Sequence, residues 1–280
     1  MKPLTTHLAA SLLLVAAHGF LPYHPALAKH IMIPATSFTS QSAFATDWNH
    51  NYPWGTDHNG AARMTPSQVR LDPSSGTLTL TARRVSGEKP ASHGGKQIPI
   101  RYLSGAVHAK EHFNVSRGGG YDFSAEFKAT TTRGTWPAFW LTGVKGWPPE
   151  IDMAEWKGSG KISFNTFNTS SQVRARDVEY PNPGEFHAIR CEVRDAGNGR
   201  DVSVRFFMDG RLVETQYGRG FVGQAMYLSG TWKFGVIIHD GGQALLGDSS
   251  LGGSSPNLRL PCLRPEFCFL GSGHGSPGLL

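Results

Sequence analysis

The sequence predicts an all-β sandwich, and three observations lead there. Turn-forming Gly and Pro are abundant, at 34 and 18 of 280 residues. Charged residues make up only 17% and aromatics 11%, a balance suited to many half-buried strands. Short runs alternate apolar and polar side chains between turn residues, and no long helical period interrupts them. The length suits one large β domain or two small ones.

Taken in order, residues 77–81 (TLTLT) alternate strictly, and residues 121–129 (YDFSAEFKA) alternate aromatic with polar. Residues 162–167, 186–193, 202–208 and 225–228 are further strand candidates. Asp209-Gly210 stands between two of these runs and predicts a two-residue hairpin loop. Gly118 to Gly120 reads as a turn, because the Lys-Ser/Thr of a phosphate-binding loop is missing. His108 and His112 read as surface residues. Period-two runs with Gly-rich breaks imply a sandwich or jelly roll.

The ends differ from the middle. Lys2, the apolar residues 8–17 and Ala26-Leu27-Ala28 fit a signal peptide over residues 1–28, so the chain is expected to be secreted, to the medium or the cell wall. Cleavage there removes one positive charge, Lys2, and takes the net charge from +6 to +5. The remaining basic residues are scattered, so no nucleic-acid partner is expected, and no membrane association after cleavage. A folded domain is assigned to residues 29–228. Residues 229–280 are rich in Gly, Ser and Pro and are expected to be irregular or disordered. Beyond residue 228 an open sheet edge is expected, or a short substitute strand from residues 233–238. Cys191 sits in an apolar run and reads as a small buried hydrophobe; Cys262 and Cys268 are close enough for a bridge. Asn114 and Asn168 open glycosylation sequons. No CxxC or HExxH motif supports a zinc site.

The chemistry concentrates in residues 136–156, WPAFWLTGVKGWPPEIDMAEW. In a regular strand Glu150 and Asp152 share one face and Glu155 points to the other. One extra residue, a β-bulge around Met153-Ala154, returns Glu155 to their face. Three carboxylates then repel one another, which is poor for stability. It suits a retaining glycoside hydrolase, which needs a carboxylate nucleophile and a carboxylic proton donor close together. A plain charged surface strand would not need Trp136, Trp140, Trp147 and Trp156 nearby; indole rings stacking on sugar faces explain them better, so all four are candidate substrate contacts.

These residues resemble glycoside hydrolase family 16. Trp136-Pro-Ala-Phe-Trp140 is similar to its W-P-A-x-W segment, and Glu150-Ile-Asp-Met-Ala-Glu155 to its E-[ILV]-D-x-x-E signature. Residues 161–168, Phe186-His187, the Asp209-Gly210 hairpin, Asp47-Trp48 and Trp54-Gly55 extend the likeness over residues 37–228. The resemblance implies a concanavalin-like jelly roll of two antiparallel sheets with a concave cleft. It implies Glu150 as nucleophile, Asp152 as its helper and Glu155 as acid/base, with Asn165 and Phe167 facing the cleft. It implies a polysaccharide substrate cut internally, most commonly β-1,3- or β-1,3(4)-glucan, although agarose, carrageenan and xyloglucan relatives use the same site and a transglycosylase would use the same covalent intermediate; a monomer that requires no cofactor is expected. A structural calcium is compatible, although no ligand set stands out. Many family members carry His where Asn165 and Phe167 stand, and the pattern is lost after residue 228. A lectin-like binding module and a product inactivated by a disrupted C-terminus therefore stay open as alternatives.

Overall fold

The protein is described from a computed structural model, which covers residues 30–233 and 270–272. Two antiparallel sheets stack face to face in a β-jelly roll. The six-stranded sheet runs His30–Ile31, Leu270–Ser272, Gly120–Phe127, His187–Asp195, Val202–Met208, Arg211–Gly218. The seven-stranded sheet runs Gln172–Glu179, Lys161–Thr169, Glu150–Glu155, Trp136–Gly143, Ala225–Lys233, Ala106–Asn114, Trp48–His50.

Period-two patterning builds the core. On His187–Asp195, Ile189, Cys191 and Val193 are buried while Ala188, Arg190 and Glu192 are less so. From the other sheet Val107, Leu141, Ile151, Ile162, Phe164 and Leu228 face them. Phe164 meets Phe206 across the gap at 5.5 Å between ring centroids. Each such apolar side chain contributes about 1.5–3 kcal/mol by leaving water. Cys191 fills a core position as an unpaired thiol, as its apolar surroundings in the sequence suggest.

The Asp209-Gly210 hairpin forms as expected, with Met208 opposite Arg211. Both loop residues have positive φ, 49° and 77°, the conformation a two-residue loop needs to match strand twist. The Asp209 carboxylate accepts from the Ala188 N–H at 2.9 Å and lies 2.8 Å from His187 Nδ1, which ties the hairpin to the next strand.

Several elements were not visible in the alternation. Gln172–Glu179 is an edge strand exposed along nearly its whole length, so it carries no apolar face to detect. A short helix, Gln41–Asp47, is capped by Ser40, whose side chain accepts from the Ala43 N–H at 3.0 Å. Residues 62–104 fold into short strands and hairpins outside the two main sheets.

The boundary at residue 228 is corrected. Strand Ala225–Lys233 runs on through it, paired to Trp136–Gly143 on one side and Ala106–Asn114 on the other. With a neighbour on each edge, Ser229-Gly-Thr satisfies its backbone without apolar side chains, and no open edge appears there. Residues 1–29, 234–269 and 273–280 lie outside the described residues, with them the signal segment, Cys262, Cys268 and nearly all of the 233–238 substitute. Among the described residues no helix is long and apolar enough to cross a membrane.

Candidate active site

Register locates the bulge. On one side Phe139 pairs with Ala154 and Trp140 with Asp152, so Met153 is the extra residue. On the other side Asn165 pairs with Asp152 and Ser163 with Glu155, so Met153 and Ala154 together oppose Phe164. Directly opposed residues share a face. Glu150 therefore joins Thr142 and Phe167, Asp152 joins Trp140 and Asn165, and Glu155 joins Ala138 and Ser163, all away from the core. Ile151, Met153 and Ala154 are buried against the core. The turn leading into the strand is tight: the Gly143 N–H donates to the Pro149 carbonyl at 2.8 Å, and a Cβ at Gly143 would lie 2.2 Å from the Gly146 carbonyl oxygen.

Although they sit on the outward face, Asp152 (3% exposed), Glu155 and Asn165 are buried at the floor of a recess. The Asn165 amide nitrogen donates to Asp152 Oδ2 at 2.9 Å and to Glu155 Oε2 at 2.7 Å. Trp136 Nε1 donates to Glu155 Oε1 at 2.5 Å, and Lys157 Nζ lies 3.5 Å from Oε2. Burial pushes the Asp152 carboxyl well above the usual carboxylate range, and the charges of Glu155 and Glu150 push it the same way. Asp152 thus holds a proton at a pH where ordinary carboxylates have lost theirs.

The two flanks of this floor differ. On one side Tyr52, Trp54, His58 and His93 close over Trp140. Tyr52 and Trp54 stack at 5.0 Å, His58 lies nearly parallel to Trp140 at 6.1 Å, and His93 meets His58 edge-on at 5.5 Å. Arg63 holds this segment through Asp57 at 2.8 Å and Glu88 at 3.2 Å. On the other side Trp147 stands over Phe167 with ring centroids 5.8 Å apart, and the exposed edge strand lies beyond.

A paired-carboxylate floor between aromatic walls is what sugar-polymer cleavage requires, and comparison with known proteins agrees. Residues 56–189 match the model for glycosyl hydrolases family 16. A galactan endo-beta-1,3-galactanase from Flammulina velutipes is 47% identical over 215 residues, 76% of this chain and 83% of that protein. The chain belongs to glycosyl hydrolase family 16. It is therefore a glycoside hydrolase. The fold matches solved structures of low identity. One is an endo-1,3-beta-glucanase from Streptomyces sioyaensis, at TM-score 0.59 and 19% identity, covering 81% of this chain and 88% of that one. Another is porphyranase B from Zobellia galactanivorans, at TM-score 0.55 and 16% identity, covering 81% and 85%.

Within this family 16 fold the sequence-predicted residues separate. Glu150, Asp152 and Glu155 come together on one face. Trp147 (49% exposed) and Phe167 remain available to a ligand. Trp156 does not: it is 1% exposed in the core, against Phe127 and Tyr180, because the strand's direction turns it inward after Glu155. Trp140 is buried under His58 and Trp54, so its ring face is already covered. Trp136 and Asn165 spend their N–H groups on the carboxylates. The exposed indole on the Trp140 side is Trp54, at 46%, which alternation could not single out because it sits in a loop. His108 is not a simple surface residue. It lies half-buried on the cleft face, its Nδ1 2.9 Å from the Asn51 carbonyl, and burial lowers its pKa. Asn168 donates its Nδ2 to the Tyr217 carbonyl at 3.1 Å, so the nitrogen that glycosylation modifies is engaged, whereas Asn114, the last residue of its strand, is exposed. Among the described residues no group of three or more His, Cys, Asp or Glu is arranged to hold a metal.

Proposed function

We propose that the protein is a secreted, retaining endo-β-1,3-galactanase. The observation that carries the mechanism is the Met153 bulge, which puts Glu150 and Glu155 on one face with Asp152 between them. Glu150 attacks the anomeric carbon while Glu155 gives its proton to the departing glycosidic oxygen. A glycosyl ester on Glu150 results. Glu155, now a base, takes a proton from water, which attacks the same carbon and frees Glu150. Asp152, protonated and accepting from Asn165 on Oδ2, has its other oxygen left to donate to a neighbouring carboxylate.

The sequence pointed to a glucan; two observations favour a galactan. The relative at 47% identity is named for β-1,3-galactan. The cleft presents two exposed indoles, Trp54 and Trp147, one on each flank. Galactose, with its axial O4, offers a broader C–H face for stacking on an aromatic ring than glucose does. Purified enzyme incubated with β-1,3-galactan, laminarin and mixed-linkage β-glucan tests this. Oligosaccharides of several lengths from the galactan, and little from the glucans, are expected. Faster cleavage of laminarin would return the substrate to glucan.

A further inference from the structure

We infer that Asn165 is the positioning residue that holds Glu155 ready for proton transfer, by tying it to Asp152 through a single amide nitrogen. This rests on the acid/base role proposed for Glu155.

The geometry is specific. An amide nitrogen carries two hydrogens, and both bonds from Asn165 Nδ2 go to carboxyl oxygens, at 2.9 Å to Asp152 and 2.7 Å to Glu155. In this orientation Nδ2 serves both carboxyl groups at once, as a two-hydrogen donor can. With Trp136 on Oε1 and Asn165 on Oε2, the plane of the Glu155 carboxyl is fixed from both adjoining strands. An amide does not titrate in the range where enzymes work. Its two donors therefore persist as Glu155 passes between acid and base. Stability does not explain the choice of residue. Asn165 Oδ1 is buried without a hydrogen-bond partner, which is unfavourable for folding. A residue kept only for packing beside Phe164 would not need that orphaned acceptor.

Leaving-group dependence separates positioning from packing. Phenyl and 2,4-dinitrophenyl β-1,3-galactobiosides differ in how much they need a proton donor; the matching laminaribiosides serve if wild type prefers laminarin. Glu155→Ala sets the reference, losing about 10²–10⁴-fold on the phenyl glycoside and little on the dinitrophenyl one. Asn165→Ala is expected to lose roughly 10–100-fold in kcat/KM on the phenyl glycoside and less than about threefold on the other. Asn165→His, which returns one N–H donor, should recover part of the loss. If Asn165→Ala does not fold by circular dichroism, Asn165→Ser, with one donor at most, carries the same test. A folded variant that loses equally on both substrates, or on neither, overturns the inference. Glu155→Ala with no leaving-group dependence overturns instead the Glu155 role beneath it.

Discussion

Two carboxylates on interior strands, one in each sheet, show how neighbours decide the state of the same chemical group. Glu192, on the outer face of the six-stranded sheet, stands among Arg190, Arg205 and Arg194. Burial pushes its pKa up, but the bond from Arg190 and the three positive charges more than reverse that, and the net shift is downward. Asp152, on the cleft face of the other sheet, has Glu155 and Glu150 as neighbours, and burial and charge both push its pKa up. One sheet surrounds its acid with bases and gains a little stability. The other surrounds an acid with acids and gives stability up. Like charges gathered where they hurt folding mark the place where the fold serves chemistry.

Loss of the nucleophile should have the largest effect. Glu150→Gln keeps shape and removes the attacking carboxylate, so activity on the cleaved polysaccharide should fall on the order of 10⁴-fold or more with melting little changed. A modest loss would remove Glu150 from the nucleophile's place. Glu155→Ala should fall about 10²–10⁴-fold on the polysaccharide, and on a 2,4-dinitrophenyl glycoside, whose leaving group needs no proton, it should regain turnover with added azide, which needs no general base to attack the glycosyl ester. An unrescued loss together with a lowered melting temperature would make Glu155 a structural acid.

Asp152→Asn sharpens the contrast in stability. Wild-type Asp152 has a folded pKa above its unfolded value. Its contribution is therefore fully present below about pH 3.9 and is lost as pH rises through the folded pKa. The amide variant escapes that loss. Its melting temperature should exceed wild type at pH 7, by about 2–4 °C per kcal/mol gained, and match it near pH 3. Activity should fall at the same time. Glu192→Gln should show the smaller, opposite effect. Its depressed pKa contributes stability above about pH 4.3 that disappears as pH falls, and solvent screening limits it to about 0.5–1 kcal/mol. Melting curves for both variants across pH 3–8 check the two signs together.

The same contrast explains what was legible in the sequence. The six-stranded sheet buries one face, so residues 186–193 and 202–208 alternate plainly and their strands were foreseen within a residue or two. The hairpin between 202–208 and the next strand was legible because Asp-Gly suits two positive φ angles. The bulge was legible because three acids at this spacing share a face only if one residue is inserted. The rest required three dimensions. Nothing local distinguishes Trp156, turned into the core, from Trp147, three residues before Glu150 and exposed. Trp140 is covered by His58, far away in sequence, and the Tyr52–His58 segment has no period to reveal that it walls a cleft. Strand Gln172–Glu179 was missed because an exposed edge needs no apolar face, and residues 229–231 because a central strand needs none to keep its backbone paired.

By placing Glu150 and Glu155 on one face, the Met153 bulge would set up two displacements at one anomeric carbon. Proton NMR of the first products released from the polysaccharide tests it directly, before mutarotation mixes the anomers. The newly formed reducing ends are expected to appear first as the β-anomer, with the α-anomer growing in later. Initial release of the α-anomer would show a single inverting displacement and contradict it.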